Sequence, residues 1–311
     1  MSKLLKVTSS PHIRHEDTTC GIMSDVIIAL LPAAAYGCIL FGWNAVFVLL
    51  TTVVTAVAAE ALWNLALHKK QTIGDLSAVV TGLLLGMNLS SEVPLWIAAI
   101  GSVVAIIVVK QMFGGLGFNF ANPALTARIV LLVSFASHMS KYVGPMESSS
   151  RMDALSSATP LASNTIFTTK ELFFGMYPGA IGETSSFLLL VGGLYLVLRR
   201  VIKPIIPIAF IGTVALASLI AGDSVSLAVF GGGLMLGAIF MATDYVTSPT
   251  TDLGKLIFGI GCGLITFVIR KFGSLPEGVS YAILLMNILT PHINRLTLSK
   301  PFGAGEVSKN E

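Results

Sequence analysis

The sequence predicts an all-α polytopic membrane protein of about ten transmembrane helices. Three observations lead to this prediction: the composition, a series of apolar segments, and the distribution of the basic residues. Of the 311 residues, 54% are apolar and only 11% are charged, and the mean hydropathy is +0.84. Soluble domains carry roughly 25% charged residues, so a soluble enzyme is excluded. The formal net charge of +3 gives no support to nucleic-acid binding.

Ten apolar segments, separated by Gly, Pro, Asn or charged residues, fall into two groups of five. The first group comprises residues 22–41, 43–67, 76–89, 93–109 and 124–139. The second group comprises residues 187–198, 202–221, 225–242, 256–269 and 279–293. We therefore expect a cytoplasmic N-terminal segment (1–21), a first five-helix half (22–139), an outward loop (140–186), a second five-helix half (187–293) and a cytoplasmic tail (294–311).

The basic residues predict the orientation of these segments. The N-terminal 21 residues contain no apolar stretch of the kind found in a cleavable signal peptide, so we expect them to stay in the cytoplasm. If the ten segments cross the membrane in alternating directions from a cytoplasmic N-terminus, most basic residues fall on the cytoplasmic side, as the positive-inside rule requires. The basic residues that fall inside are Lys3, Lys6, Arg14, Lys69, Lys70, Lys110, Arg128, Arg199, Arg200, Lys203, Lys255, Arg295, Lys300 and Lys309. Those that fall outside are Lys141, Arg151, Lys170, Arg270 and Lys271.

The two halves are predicted to be inverted repeats. Each half has an odd number of crossings, so two related halves must have opposite orientations, as in many transporters. The third segment of each half is short or interrupted by glycine, which in such proteins points to a central site. Both segments also contain a small-xxx-small spacing, Gly82 to Gly86 and Gly233 to Gly237. Close helix packing is the simpler explanation for these glycines.

Two carboxylates in or beside the apolar segments are candidates for an ion pathway, Glu60 and Asp244. Ionisable residues inside a membrane are costly and are often functional. The structural alternative for Glu60 is an ion pair with Lys110 or Arg128, and for Asp244 it is an interfacial loop position. The cysteines Cys20, Cys38 and Cys262 lack the spacing of a zinc or cluster site, so no metal site is predicted.

The predicted outward loop contains the sequence Asp153-Ala154-Leu155-Ser156-Ser157-Ala158-Thr159-Pro160. By composition alone it is a surface turn. Pro160 favours an extended backbone at Thr159, which presents the threonine hydroxyl to an enzyme. The pattern Asp-x-x-Ser-x-Ala-Thr resembles the motif at which an exported flavin transferase moves FMN from FAD onto a threonine as a phosphoester.

This motif, between two five-helix halves, resembles the RnfD/NqrB family of membrane subunits in ion-pumping, flavin-rich electron-transfer complexes. The short polar N-terminus is more similar to the RnfD branch, and Ser157 stands where the family more often has Gly. Further similarity runs along most of the chain, in residues 10–14, 78–85, 113–117, 122–124, 181–185, 240–244 and 276–278. The resemblance implies a urea-transporter-like fold.

The resemblance also implies the site and the cofactor. Thr159 would be the covalent FMN anchor, and Asp153, Ser156 and Ala158 would be recognised by the transferase. A second, noncovalent flavin such as riboflavin in the helical core is compatible with the resemblance. The implied location is the prokaryotic cytoplasmic membrane, with the flavin loop on the outer face.

The implied function is electron transfer in a ferredoxin:NAD oxidoreductase (Rnf) complex coupled to export of Na⁺ or H⁺. The implied partners are a second flavoprotein, iron-sulfur subunits, the flavin transferase during maturation, and the lipid bilayer. No dinucleotide-binding glycine motif follows a strand here, so NAD and ferredoxin chemistry would belong to other subunits. Two alternatives remain open: an NqrB-type subunit of a quinone reductase, and a stand-alone channel or solute carrier of urea-transporter-like fold.

Overall fold

A computed structural model describes residues 18–142, 144, 161, 167–273 and 278–298 of the chain. Within these residues the chain forms thirteen α-helices, two π-helical stretches and no β-strand. The predicted all-helical class is therefore confirmed for the described part of the chain.

Six helices precede the predicted outward loop, and seven follow its start. The first six are α1 (Thr19–Phe41), α2 (Trp43–Ala66), α3 (Ser77–Met87), α4 (Leu95–Val103, continued by the π-helical stretch Val104–Gln111), α5 (Pro123–Ser134) and α6 (Ala136–Met139). The others are α7 (Thr169–Phe174), α8 (Ser186–Leu198), α9 (Ile205–Ile220), α10 (Val225–Phe230), α11 (Leu234–Leu236, continued by the π-helical stretch Gly237–Met241), α12 (Asp252–Phe272) and α13 (Val279–Thr297).

Three of these helices, α1, α2 and α12, are long and apolar enough to cross a membrane. Five shorter apolar helices accompany them: α3, α4 with its π-helical stretch, α5, α8 and α9. An α-helix rises 1.5 Å per residue, so the 11 residues of α3 span about 16 Å, roughly half of a hydrocarbon core of about 30 Å. The chain is thus a helical membrane protein in which some helices reach only part of the way across.

Several helix ends follow directly from local sequence. The Thr18 side chain accepts a hydrogen bond from the Gly21 N–H at the start of α1, and Asn122 accepts from Ala124 and Leu125 at the start of α5. Pro123 occupies the first turn of α5, where its missing N–H costs nothing. These caps explain why the observed starts lie close to the predicted ones.

The predicted segment 225–242 is not one continuous helix. It divides into α10 and α11, and the break falls at Gly231–Gly232–Gly233. Gly232 has a φ of +68°, which glycine adopts without strain but other residues rarely do. Three consecutive glycines also have low helix propensity. The predicted segment 124–139 is broken as well, because Phe135 has a non-helical backbone between α5 and α6.

Glycines let α3 lie directly against α2. A Cβ atom on Gly82 would lie 2.8 Å from the Thr52 carbonyl oxygen, and one on Gly86 would lie 2.5 Å from Thr52 Oγ1. In the second half, a Cβ on Gly237 would lie 2.5 Å from Val279 Cγ1 of α13. The packing explanation for these small-xxx-small positions is therefore supported by direct contact.

The residues before α8 fold into the core. Tyr177 and Ile181 are fully buried, although both belong to the predicted outward loop. The Ile181 N–H donates to the Leu89 carbonyl at 2.9 Å, and the Gly182 N–H donates to the Met87 carbonyl at 2.7 Å. Carbonyls at a helix C-terminus have no partner within the helix, so these bonds satisfy the end of α3 inside the protein. We call residues 175–185 the inserted segment.

The contact between α2 and α3 makes a stability prediction. Gly82→Ala should lower the apparent melting temperature, because overpacking against backbone atoms costs about 1 to 3 kcal/mol. Gly212→Ala is the matched control: it lies within α9, and a Cβ there would meet no atom within 4 Å. Alanine is favoured over glycine in a helix by about 1 kcal/mol, so the control should be unchanged or slightly stabilised. Tryptophan-fluorescence melts in detergent at one scan rate would measure both, and equal melting temperatures would contradict the packing argument.

Candidate functional site

The residues of the predicted flavin motif, Asp153, Ser156, Ala158 and Thr159, lie outside the described residues. The nearest described residue is Leu161. A Cβ atom on Gly232 would lie 2.9 Å from Leu161 Cδ1, so Leu161 contacts the turn between α10 and α11. Leu161, two residues after Thr159 in the sequence, is therefore located at this turn.

Glu60 is completely buried at the centre of a polar cluster. Lys110 Nζ lies 2.8 Å from Glu60 Oε2, and Gln111 Nε2 donates to Glu60 Oε1 at 3.1 Å. The Thr72 hydroxyl donates to the same Oε1 atom. Lys110 Nζ also donates to Ser77 Oγ at 2.6 Å. We call these five residues the Glu60 cluster.

Three helical elements, and Thr72 from the connection between α2 and α3, bring the Glu60 cluster together. Glu60 belongs to α2, Ser77 begins α3, and Lys110 and Gln111 end the π-helical stretch that follows α4. Short π-helical stretches within α-helices often occur at functional sites. Asp75 supports the start of α3, because its Oδ1 accepts the Ser77 backbone N–H at 2.8 Å.

The Glu60 cluster compensates its buried charges. A carboxylate and an ammonium group removed from water each carry a large desolvation cost, which only close pairing and additional hydrogen bonds can offset. Of the two partners considered from the sequence, Lys110 forms the ion pair with Glu60. A cation that bound directly to Glu60 Oε2 would have to displace Lys110.

Arg128 forms a second buried cluster, in which it pairs with Glu183 at 3.4 Å. Arg128 Nη1 donates to Asn88 Oδ1 at 2.8 Å and to Ser280 Oγ at 3.2 Å. This arginine therefore connects α5, the end of α3, α13 and the inserted segment. Gly233 leaves room for the carboxylate, since a Cβ there would lie 2.8 Å from Glu183 Oε1.

The pairing of Arg128 with Glu183 was not predicted from the sequence. A signal was present, because an arginine within an apolar segment needs a buried acceptor. Lys110 and Arg128, which the predicted topology placed on the inner side, are both only 2% exposed, so their side chains belong to the buried clusters. Arg270 likewise donates to the carbonyls of Ala228 and Gly231. The other basic residues still favour the predicted orientation.

Asp244 lies just after the π-helical stretch that follows α11. The Thr247 hydroxyl donates to Asp244 Oδ2 at 3.1 Å. Burial raises the pKa of the Asp244 carboxyl, and hydrogen bonds from the Thr247 side chain and the Val246 backbone oppose that rise. The Asp244 side chain is partly exposed, and it lines a cavity.

That cavity brings the two candidate carboxylates into one region. Its volume is about 90 Å³. Its polar lining residues are Ser77, Thr81, Lys110, Asn119, Asn122, Thr243, Asp244 and Tyr245. Two members of the Glu60 cluster thus face the same space as Asp244. Ligand pockets usually measure about 300 Å³ or more, so the space suits water or a small cation and does not accommodate a flavin ring as it stands.

Among the described residues, no group of three or more His, Cys, Asp or Glu side chains could hold a metal ion. The site consists of two buried ion pairs and a small cavity with both polar and apolar lining residues. The contacts of these residues compensate the buried charges of Glu60 and Arg128.

Residues 6–303 match the family described as "NQR2, RnfD, RnfE family". A relative from Acetobacterium woodii, named as a subunit of the Na(+)-translocating ferredoxin:NAD(+) oxidoreductase complex, is 46% identical over 98% of this chain and 97% of its own. A relative from Clostridium ljungdahlii, named as a subunit of the proton-translocating ferredoxin:NAD(+) oxidoreductase complex, is 41% identical over 96% of each chain. A third, from Stutzerimonas stutzeri, is named as a subunit of the ion-translocating oxidoreductase complex and is 39% identical over 91% of each. These matches confirm the resemblance derived from the motifs: the chain belongs to the NQR2, RnfD, RnfE family.

Proposed function

We propose that this chain is the RnfD-type membrane subunit of an ion-translocating ferredoxin:NAD oxidoreductase complex of the prokaryotic cytoplasmic membrane. The observation that carries the proposal is the 46% identity over 98% of the chain to a relative named as a subunit of such a complex. NAD and ferredoxin would react on partner subunits, including a second flavoprotein and iron-sulfur subunits. This subunit would contribute to the enzyme without holding a complete active site of its own.

The redox group of the subunit is proposed to be FMN, joined through its phosphate to the Thr159 hydroxyl by an exported flavin transferase. The Asp153-x-x-Ser156-x-Ala158-Thr159 motif supports this assignment. A flavin linked in this way supplies electron transfer through its own ring. The protein's contribution is to tether the phosphate end of the flavin. Leu161, two residues after Thr159 in the sequence, contacts Gly232 between α10 and α11. A second, noncovalent flavin such as riboflavin would require the core cavity to widen.

The proposed layout is two inverted halves, residues 22–139 and 187–293, with both termini in the cytoplasm and the flavin loop outside. Helix packing supports it. Helix α1, the first of its half, packs on α8, the first long helix of the other half. Helix α5 packs on α13, and these two helices belong to the fifth predicted segment of each half. Helix α2 packs on α4 as α9 packs on α12. A two-fold relation between the halves accounts for all four contacts.

The proposed ion route passes the cavity between Asp244 and the Glu60 cluster. Its support is the presence of Lys110 and Asp244 in one cavity wall. The ion itself stays open between Na⁺ and H⁺, because the relatives at 46% and 41% identity are named for different ions. The names of these relatives favour ferredoxin:NAD chemistry over the quinone-reductase alternative.

The layout predicts which positions a membrane-impermeant thiol reagent reaches in intact cells. The exposed Cys20 is first replaced by serine to remove background labelling. Cysteines introduced at Ser148 and Ser163 should be labelled from outside, and those at Lys70 and Lys309 should not. Labelling at Lys309 would contradict the proposed orientation.

The ion route predicts that Glu60→Gln or Asp244→Asn reduces ion-coupled turnover in a complex that still assembles. Asp223→Asn is the matched control, because Asp223 forms an exposed pair with Lys271. Ion uptake by inverted vesicles and subunit content after purification measure the two effects. Loss of assembly in Glu60→Gln would instead favour a structural role, since breaking a buried pair costs about 3 to 5 kcal/mol. Unchanged pumping in both variants would remove these carboxylates from the route.

The flavin assignment predicts that Thr159→Ala inserts and assembles but loses the covalent flavin and the electron transfer that depends on it. In-gel ultraviolet fluorescence and peptide mass spectrometry detect the loss, and they also separate this function from that of a solute carrier. The wild-type peptide that contains Thr159 should be heavier than the same peptide without flavin by the mass of FMN minus the mass of one water molecule.

The controls for this variant are chosen from the same loop. Thr165→Ala and Thr168→Ser should both keep the flavin. Serine is used at Thr168 because the Thr168 side chain caps α7 in a capping box with Glu171. An unmodified wild-type peptide after co-expression with the transferase would refute the assignment.

A further inference from the structure

An apolar groove of about 490 Å³ runs along the outside of the molecule between α8 and α9. Its walls include Leu194 and Val197 of α8, and Ile208 and Ile211 of α9. Gly212 forms part of the groove, and a Cβ there would meet no atom within 4 Å, so the groove is open at that point. The nine residues from Pro204 to Gly212 give it a length of about 12 Å. A helix that spans the membrane is longer than this groove and could not lie in it along its whole length.

One end of the groove is flanked by a basic turn. Arg199, Arg200 and Lys203 lie in the connection between α8 and α9, and Ile202 and Pro204 of the same connection line the groove. Arg199 pairs with Asp25 at 3.2 Å, and Lys203 pairs with Asp252 at 2.6 Å. The side chain of Arg200 is exposed and forms no hydrogen bond or ion pair with another described residue.

The turn holds Arg200 in an unusual backbone conformation. Arg200 has a φ of +59°, which residues other than glycine adopt rarely. The Val201 N–H donates to the Leu196 carbonyl at 2.9 Å, and the Tyr245 hydroxyl donates to the Val201 carbonyl. These two bonds maintain the turn on both sides of Val201. A strained residue that the surrounding structure maintains often has a function.

We propose that this groove binds one anionic phospholipid, with an acyl chain between α8 and α9 and the headgroup phosphate at Arg200. The groove supplies an apolar surface for the acyl chain, and the exposed guanidinium of Arg200 supplies bidentate hydrogen bonds to phosphate. Basic residues at the membrane surface attract anionic lipids. Arg199 and Lys203 are already paired with carboxylates, so Arg200 is the residue that distinguishes anionic from zwitterionic headgroups. This site is distinct from the proposed flavin loop, and Ile202 separates the groove from the cavity of the proposed ion route by lining both.

The test uses the assembled complex in nanodiscs that contain equal amounts of phosphatidylglycerol and phosphatidylcholine. Native mass spectrometry after mild delipidation counts the retained lipids. The wild-type complex should retain phosphatidylglycerol in preference to phosphatidylcholine. Arg200→Asn removes the charge and keeps a side chain that tolerates positive φ. It should reduce that preference by roughly fivefold or more, which corresponds to the attraction of one basic residue.

Three further variants define the site. Arg200→Lys keeps the charge but not the bidentate geometry, so it should retain only part of the preference. Gly212→Leu should fill the groove and abolish retention of both lipids without changing any charge. Arg295→Gln is the matched control: Arg295 is an exposed arginine of α13, which does not line the groove, and its removal should change nothing.

Three outcomes would overturn the proposal. One is equal retention of the two lipids by the wild-type complex. Another is an Arg200→Asn complex that retains phosphatidylglycerol as the wild type does. The third is a Gly212→Leu complex that keeps its lipid but loses a partner subunit, which would assign the groove to a helix of that subunit.

Discussion

The fold depends on one constraint: helices that end inside the membrane must satisfy their terminal backbone groups within the protein. The hydrocarbon core offers no water to replace missing partners. Helix α3 is too short to cross, and its last carbonyls accept hydrogen bonds from the inserted segment, through Ile181 and Gly182. At the end of the π-helical stretch after α11, the Asn122 side chain donates to the Met241 carbonyl at 3.2 Å. Segments distant in sequence are thereby held together at the centre of the molecule.

The same constraint governs the buried charges. Glu60 and Arg128 are each surrounded by partners from several elements, and each cluster fixes the relative positions of those elements. Arg128 connects four parts of the chain, including α13 of the second half. Such pairs add little net stability compared with apolar side chains of the same volume, but a missing partner leaves an uncompensated charge. Their effect is to favour one arrangement of the helices over others.

The two proposed activities occupy different parts of the chain for a physical reason. Covalent attachment of a flavin needs a hydroxyl that an enzyme can reach, and therefore an accessible loop. Ion movement needs polar groups within the packed helices, and Lys110 and Asp244 line one cavity there. Coupling between them would have to pass through the packed helices. The contact of Leu161 with the turn between α10 and α11 joins the end of the flavin motif to the helix that leads to Asp244.

The sequence by itself determined the features that depend on local composition and short motifs. Hydropathy summed over a window identified the membrane class, because transfer from water to lipid depends mainly on side-chain polarity. The short third segment was also visible locally. The motif at Thr159 predicts a chemical modification, since a modifying enzyme recognises a short extended sequence.

Only the tertiary structure decided the partners. The sequence allowed Lys110 or Arg128 to pair with Glu60, and the packing of α2 against the π-helical stretch selected Lys110. Glu183 lies 55 residues from Arg128 in the chain, and no local pattern connects them. The insertion of residues 175–185 and the groove between α8 and α9 likewise arise from contacts between distant elements. Periodicity and composition indicate which side chains of a segment face lipid, water or protein. Which buried side chains pair with each other depends on the contacts between distant segments.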